Sequence, residues 1–553
     1  MRKISLQIND KQITAESGKT ILNVCRDHGI TIPSLCSHPM LKPAEKCGIC
    51  AVEAEGREEL IKACATGAED GMKIQTESER IAACRIEALN RILETHPNDC
   101  LGCAKTGGNC LLQEVSYLYN VNPPTRTDMK RGTDSSSPAI IRDRDKCIDC
   151  GRCAAICEEI KKTDVPLNET DCIFCGQCVK ACPTGALTER EELHIVMEAL
   201  ADPSKKVIFQ TAPAVHNTAG EEFGLKSGAD LTKKLPTALR KLGAAVFTTD
   251  FAADVTVLEE GTEFIGRLTN QGAFPMFTSC CPGWVRFLEI NYPELRGHLS
   301  SCKSPQQMFG ALLKSYYAEK KELDPKDIFH VSIMPCVAKK YERLLPEMKN
   351  RETGCLDTDA VLTTREAAKL MRYFNIDLAE QADSDFDDMM GIGTGAARIF
   401  AASGGVMEAA LRTVVMKLTG NRIDTIDFTE VRDCEDVKEA CIDINGTEVR
   451  VAVVNGIGNA RKILDDVAAG KSKYRFIEVM ACKGGCIGGG GSPIRGDNTM
   501  RKESIYMSDA KNPVRRSHEN PQVRKLYEDF LIKPCGNKSH DLLHTLAYHS
   551  EIR

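Results

Sequence analysis

The chain has 553 residues, 42% hydrophobic and 27% charged, with a net charge of −6; one core rarely organises that length, so three or four domains are expected. The acidic balance gives no support for nucleic-acid binding. No run of about 18 apolar residues would span a membrane, and the opening MRKISLQINDKQ has no apolar leader, so a cytoplasmic protein is expected. The unusual figure is 27 cysteines. Clustered and odd in number, they point to thiolate ligation of zinc or iron–sulfur centres rather than to a disulfide framework.

Residues 3–15, KISLQINDKQITA, alternate apolar and polar around Asn9-Asp10, as a β-hairpin does. A short helix is expected over Thr20–His28, burying Ile21, Leu22, Val24 and Cys25. Cys36, Cys47, Cys50 and Cys64 follow at C-x10-C-x2-C-x13-C. That spacing is similar to plant-type ferredoxins, whose loop holds a 2Fe–2S cluster; a zinc ribbon normally uses two CxxC knuckles, and one is present. A helix near Glu77–Glu94 leads to His96, Cys100, Cys103 and Cys110, at H-x3-C-x2-C-x6-C. Taken alone, this set suits either zinc or a cluster with one neutral ligand.

A Pro/Ser/Thr-rich linker, Asn122–Pro138, separates these from two further sets. Cys147, Cys150, Cys153 and Cys157 are spaced C-x2-C-x2-C-x3-C, and Cys172, Cys175, Cys178 and Cys182 repeat the spacing before Pro183. Zinc does not explain such runs. They match bacterial two-cluster ferredoxins, in which each fourth cysteine serves the other cluster. Cys157 is therefore expected with the second cluster and Cys182 with the first. Only 14 residues separate Cys157 from Cys172, and no proline follows Cys157. Beyond Cys182, strand-like runs (Lys206–Pro213, Ala244–Asp250, Ile328–Pro335, Val449–Gly456) alternate with helices expected at Glu222–Leu242 and Gly404–Leu418, arguing for α/β domains.

Three separated motifs hold the most suggestive of the remaining cysteines. TSCCPGW (278–284) contains Cys280 and Cys281; MPCVAKKYE (334–342) contains Cys336 and Lys339; EVMACKGGCIGGGGSP (478–493) contains Cys482 and Cys486. The glycine run Gly488–Gly491 lacks the Gly-Lys-Ser/Thr ending of a phosphate loop. Four thiolates can be drawn from these motifs with one of the five cysteines left over. Two glycines between Cys482 and Cys486 let both sulfurs approach one compact group.

In this order the motifs resemble the signatures of the iron–iron (FeFe) hydrogenase catalytic domain. With the N-terminal cysteine sets, the resemblance is to the modular type of that family and extends through SHENP and SHDLLHT, over essentially the whole chain. The fold it implies is multidomain α/β and α+β. Its parts are a 2Fe–2S β-grasp ferredoxin-like domain (1–79), a small one-His, three-Cys 4Fe–4S domain (80–126), a two-cluster 4Fe–4S ferredoxin-like domain (127–205) and an α/β catalytic domain of two lobes (206–553). The implied cofactors are one 2Fe–2S cluster, three accessory 4Fe–4S clusters and an H-cluster. The last is a 4Fe–4S cubane joined through one cysteine sulfur to a diiron unit with CO, CN⁻ and azadithiolate. Carried over, Cys281, Cys336, Cys482 and Cys486 bind the cubane, with Cys486 bridging. Lys339, Gln306, Pro213 and Ala214 would face the diiron ligands, and Met334, Phe400 and Met480 would form its apolar wall.

Glu260, Glu263 and Arg267 fall on one helix face by steps of three and four, which alone describes a solvated salt-bridge stripe. The resemblance makes them, with Cys280 and Ser300, a proton relay running Cys280, Glu260, Ser300, Glu263, Arg267. The implied reaction is H2 ⇌ 2H⁺ + 2e⁻. Electrons would pass through the accessory clusters to ferredoxin or to NAD(P)-, flavin- or formate-linked subunits, and hydrogenase maturation proteins would load the cofactor. The altered relay cysteine of sensor relatives and the broken motifs of iron–sulfur assembly relatives are not seen. Cys25, Cys84, Cys302, Cys355, Cys434, Cys441 and Cys535 are read as packing or incidental thiols. Gly488 and Ser492 stand where the family commonly has Asn and Gln, and His216 where an arginine is frequent.

Overall fold

The computed structural model describes residues 2–545 except 40, 107, 129–130, 163, 244, 271, 421–426, 433–435 and 445. Cys434 and the Ala244 start of one expected strand lie outside the described residues. The chain divides into two units, Met1–Cys172 with Gln177–Arg190, and Ile173–Gly176 with Glu191–Arg553. Among the described residues, no helix is long and apolar enough to cross a membrane.

In the first unit the alternating segment forms β1 (Lys3–Ile8) and β2 (Lys11–Glu16), antiparallel and joined through Asn9 at φ 52°. α1 (Ile21–Asp27) begins where the Thr20 hydroxyl accepts the Asn23 N–H, and it buries Ile21, Leu22, Val24 and Cys25. With β3 (Ala51–Ala54), β4 (Ile61–Lys62) and β5 (Lys73–Gln75), the sheet has the order β2-β1-β5-β3-β4. α2 (Glu79–Leu93), capped by Ser78, and α3 (Leu111–Leu118) supply Leu89, Leu93, Leu112 and Val115 to a core that also takes in Cys36, Cys47, Cys110 and Cys150. A last small sheet, β6 (Thr133–Asp134), β7 (Ile140–Asp143) and β8 (Leu187–Glu189), accompanies α4 (Arg152–Ile156) and α5 (Gln177–Ala181).

In the second unit, α6 (Leu193–Ala201) precedes β9 (Lys206–Thr211) and α7 (Pro213–His216). The helix expected over Glu222–Leu242 is realised only as α8 (Lys234–Arg240), because Gly224 and Gly228 turn the chain at φ 78°. Then come β10 (Ala245–Thr248), the long α9 (Thr249–Thr269), β11 (Met276–Phe277), α10 (Pro282–Asn291), α11 (Pro305–Leu312) and β12 (Ile328–Met334). The remaining strands are β13 (Ala360–Thr363), β14 (Val437–Ile444), β15 (Thr447–Asn455) and β16 (Phe476–Met480).

These strands make two four-stranded sheets. β10-β9-β12-β13 is parallel throughout, whereas β11-β16-β15-β14 is parallel except for the β14–β15 pair. β9 and β16 are buried along almost their whole length, as strands covered on both faces must be. Even Glu478 lies inside, where its carboxylate accepts the N–H groups of Gly404 and Met407 at 2.7 Å each and caps the helix Gly405–Thr419. The loops carrying Pro213, Cys280–Cys281, Cys336 and Cys482 follow the carboxyl ends of β9, β11, β12 and β16. Open α/β sheets take their ligands at such ends.

Candidate active site

β11 and β16 run in step, Phe277 beside Ile477, and the Thr278 N–H continues the ladder to the Ile477 carbonyl at 3.1 Å. The first and third motifs thus leave neighbouring strands together. Trp284 is fully buried, donates from Nε1 to the Thr278 carbonyl at 3.0 Å and meets Phe277 edge-on. That contact fixes the turn into α10, whose N-cap is Cys281. The glycine run is a backbone contact rather than a phosphate cradle. A Cβ on Gly489 would stand 2.2 Å from the Pro335 carbonyl oxygen, and the Gly491 N–H donates to that same oxygen at 2.8 Å. It presses the third motif against the second.

Cys281, Cys336, Cys482 and Cys486 consequently face one another. Burial first, then Cys482 and Cys281, raises the Cys336 thiol well above its ordinary value, and burial with Cys281 and Cys482 pushes Cys486 up to about 12. Each residue keeps intermediate accessible surface, yet the sulfurs of Cys336 and Cys486 are enclosed by protein, and the enclosure governs their protonation. Thiols that raise the pKa values of Cys336 and Cys486 around one enclosed spot would be stabilised as thiolates by bridging cations, so the donor set fits an iron–sulfur group. Phe400, Met480 and Ala214 share one apolar cluster with Cys280, Cys281 and Cys486. Met334 packs instead in the core of the parallel sheet with Phe209 and Ile333, and Pro213 opens α7.

The Lys339 ammonium, 7% exposed, donates to the Cys280 carbonyl at 3.1 Å and to both Glu342 oxygens at 3.0 and 3.1 Å. Burial opposes its charge, but Glu342 and Cys336 outweigh burial and hold its pKa above the ordinary lysine value. Glu342 also accepts Ser304 Oγ at 2.9 Å and Gln306 Nε2 at 3.2 Å, which leaves Gln306 Oε1 buried without a partner. Sequence reasoning gave Glu342 no role. Its only local signal is the three-residue step from Lys339.

α9 carries the acids. Glu260 is 2% exposed, with Oε1 unpartnered. Burial, then the charge of Glu263, lifts its carboxyl to about 8, against the pull of Ser300 and the Ser279 backbone. The Cys280 thiol is raised well above its usual value by burial and then by Glu260. Ser300 Oγ donates to Glu263 Oε2 at 3.1 Å, and Glu263 Oε1 accepts Arg267 Nη2 at 2.6 Å. With Arg267 only 9% exposed, this is no solvated stripe.

The departures from the family pattern have local accounts. A Cβ on Gly488 would meet the Lys483 carbonyl oxygen at 2.1 Å, so no side chain fits, and Asn498 Nδ2 reaches within 3.2 Å of that point. The Ser492 hydroxyl donates to the Cys486 carbonyl at 3.4 Å. His216 is buried and neutral, its pKa pushed well down by burial and by Arg398. Nε2 meets Thr211 Oγ1 at 2.8 Å, while Arg398, paired with Asp250 at 2.9 Å, donates to Nδ1. The cation at this strand end is therefore Arg398.

In the first unit, Cys36, Cys47, Cys50 and Cys64 are all buried, and hydrogen bonds from Cys47 and Cys64 push the Cys36 thiol down. His96, Cys100, Cys103 and Cys110 line one pocket, and Gly185 is needed beside it because a Cβ there would stand 2.6 Å from Cys103 Sγ. Cys147, Cys150, Cys153 and Cys182 line another. Charge on Cys172 and Cys157 raises Cys178, a thiol already raised by burial. Cys175 belongs to the segment Ile173–Gly176, which groups with the second unit.

Repeated sets of four soft donors, one of them enclosed beside a chain of buried acids, define an iron–sulfur oxidoreductase that also handles protons. The family profile described as iron only hydrogenase large subunit, C-terminal domain, matches residues 205–490, and the iron hydrogenase small subunit profile matches 498–551. Ahead of them, a 2Fe–2S binding domain matches 1–79, the NADH-ubiquinone oxidoreductase-G iron–sulfur binding region 85–124, and a 4Fe–4S binding domain 165–188. The NADP-reducing hydrogenase subunit HndD of Solidesulfovibrio fructosivorans is 43% identical over 99% of this chain and 99% of its own length. Iron hydrogenase 1 of Clostridium pasteurianum is 39% identical over 97% and 98%. An apo FeFe-hydrogenase HydA1 from Chlamydomonas reinhardtii has a TM-score of 0.57 at 41% identity, covering 63% of this chain and 98% of that one. The chain belongs to the iron–iron hydrogenase family: a mixed α/β multidomain oxidoreductase that interconverts H2 with protons and electrons, its catalytic domain preceded by iron–sulfur domains.

Proposed function

We propose that this chain works at an H-cluster, which Cys281, Cys336, Cys482 and Cys486 would hold. When bound, that group supplies the centre at which H2 is split or formed. The observation that carries the reading is the line of groups running from the Cys280 thiol, beside the four donors, through Glu260 and Ser300 to the Glu263–Arg267 pair at 2.6 Å. Cys280, its pKa raised, holds a proton at neutral pH and presents it at the donor end. Glu260, near 8, exchanges a proton at little cost on either side of neutrality, and Oε1 is free to do so. Ser300 passes it to Glu263 by giving one proton as it takes another. Arg267 steadies the Glu263 carboxylate. Lys339 stays charged and grips the Cys280 carbonyl, holding the thiol in place. Phe400 and Met480 keep water out.

The same reading assigns a 2Fe–2S cluster to Cys36, Cys47, Cys50 and Cys64 in a β-grasp domain at 1–79, and a 4Fe–4S cluster to His96, Cys100, Cys103 and Cys110 at 80–126. Two more belong to 127–205: one on Cys147, Cys150, Cys153 and Cys182, the other on Cys172, Cys175, Cys178 and Cys157. A catalytic domain of two lobes, one around each four-stranded sheet, completes the chain at 206–553. Likeness along the whole length to a subunit named for NADP reduction, together with the NADH-oxidoreductase-like region, favours NAD(P)- or flavin-linked partner subunits over ferredoxin alone. Among the described residues no cysteine is in a disulfide, which is compatible with a reducing compartment. Infrared spectra of protein loaded by maturation proteins test the core of this reading. Metal-bound CO and CN⁻ bands with H2-dependent dye reduction are expected, and their absence overturns it.

A further inference from the structure

Arg267 ends the line of acids, but a guanidinium cannot release its proton near neutral pH, so it can steady Glu263 without carrying anything onward. Glu263 has another neighbour that can. Its Oε2 accepts the Ser301 N–H at 3.0 Å and Ser301 Oγ at 2.9 Å. Ser301 Oγ in turn lies 2.7 Å from His544 Nδ1, across 243 residues of sequence. His544 Nε2 faces Glu259 Oε2 at 3.1 Å, and Glu259 is itself held by Tyr527 OH at 2.6 Å and the Cys535 N–H at 2.6 Å. His544 and Glu259 are buried, at 1% and 0% exposed. The ring of His540, an exposed residue, lies 4.2 Å from that of His544.

We propose that Glu263 passes its proton to His544 through the Ser301 hydroxyl, making Ser301, His544 and Glu259 the outlet of the relay, with His540 the next group toward solvent. The proposal rests on the relay reading above.

Hydrogen-bond direction argues for it. Ser301 has one hydroxyl proton for two partners. When it points to Glu263, Ser301 accepts from Nδ1–H, and His544 is an imidazolium donating to both Ser301 and Glu259. When it points to His544, Ser301 accepts from a protonated Glu263, and the imidazole is neutral with its Nε2–H on Glu259. The two arrangements differ by one shift. The O–H bond of Glu263 breaks as one forms on Ser301, and the Ser301 O–H breaks as an N–H forms on His544; nothing is oxidised. Glu259 orients the ring and stabilises its cation, as the carboxylate of a Ser-His-Asp triad does. One ring nitrogen of His540, one of His544 and the Cys535 sulfur lie within 4.8 Å of one another, a gap that one water can bridge. Lining the ring are Glu259, Glu263 through Ser301, Cys302 with Sγ 3.9 Å from Nδ1, Cys535 and His540. Cys302 packs in the hydrophobic core as well as against the ring, and Cys535 Sγ donates to the Glu259 carbonyl at 3.3 Å.

The competing exit is water at the edge of Glu263, whose side chain is 13% exposed. Turnover of the loaded holoenzyme, infrared bands and the solvent deuterium effect decide between them in His544→Asn, with Glu260→Gln as a check on the relay itself. His544→Asn is expected to keep the CO and CN⁻ bands, lose turnover about 10-fold or more, raise the deuterium effect and recover in added imidazole. Turnover within about twofold of the unsubstituted enzyme, or a loss that imidazole and deuterium do not touch, overturns the outlet. If Glu260→Gln collapses turnover while His544→Asn does not, the relay stands and the outlet falls. If Glu260→Gln is fully active, both fall. Should His544→Asn fail to hold the cofactor, Ser301→Ala removes only the bridging hydroxyl, and unchanged turnover there overturns the proposal.

Discussion

In the N-terminal region the donors come from short consecutive stretches of sequence, with Cys157 and Cys182 exchanged between the last two, and some donors remain at the surface; Cys100 is exposed and Cys147 half-buried. In the second unit, four donors spread from position 281 to position 486 follow the carboxyl ends of three strands in two sheets. The difference follows from what each region must move. An electron crosses a gap between clusters, so a donor loop need only hold its metal. A proton moves only through groups in hydrogen-bond contact, and contacts such as the 2.6 and 3.1 Å steps at Glu263 survive only on rigid elements. Hence the acids lie on α9, wedged between a sheet and neighbouring helices, while the cysteine loops of the first unit need only a local core.

The largest effects should separate the two regions outright. Cys486→Ala is expected to abolish H2 turnover and the CO and CN⁻ bands, leaving the electron paramagnetic signals of the first unit in place. Cys36→Ala should do the reverse, losing the 2Fe–2S signal and reduction of protein acceptors while the bands persist. Loss of every signal in either variant would break the contrast. Next in size, Glu260→Gln keeps the shape of the side chain but not its titration. Turnover should fall about 10²- to 10³-fold with the bands unchanged.

Glu260 also makes stability depend on pH. Its carboxyl, near 4.5 when unfolded, is lifted to about 8 in the fold by burial and Glu263. Between those values the folded chain holds a proton that the unfolded chain has released. Stability is therefore full below the lower value and declines as pH rises through the window, at no more than roughly 1.4 kcal/mol per pH unit. Thermal melts of the cofactor-free protein at about pH 5 and about pH 8 should show this fall, to which Asp254 and Glu478, both lifted to about 7 by burial, also contribute, and Glu260→Gln should make it shallower. A slope unchanged by that substitution would place the titration on the other buried acids alone.

How much of this could be read beforehand depended on distance along the chain. The hairpin, α1 and the cysteine spacings are local, and so is the step of three and four that aligns Glu260, Glu263 and Arg267. The helix expected at Glu222–Leu242 failed because two glycines at positive φ outweighed its apolar periodicity. Glu342, at the centre of the Lys339, Ser304 and Gln306 contacts, carries in the sequence only its three-residue step from Lys339, since two of its partners arrive from 36 and 38 residues away. The Ser301–His544 contact and the substitution of Arg398 for a cation at His216 depend on how the sheets fold back, which no short pattern records.

The smallest effect should come from the one neutral donor. His96 Nδ1 lies 3.1 Å from Asn98 Oδ1 and equally 3.1 Å from the Asn98 N–H; in the tautomer that donates Nδ1–H to Oδ1, the Nε2 lone pair is left for a metal. The ring adds no charge, whereas a thiolate in its place adds one negative charge and stabilises the oxidised cluster. His96→Cys should therefore lower the midpoint potential of one 4Fe–4S cluster, read by redox titration. Turnover with a dye that accepts electrons directly should change less than about twofold, because the proton-handling unit is untouched. A large loss of dye-linked turnover would mean that this pocket is coupled to the acids of α9, and the division of labour between the two regions would have to be abandoned.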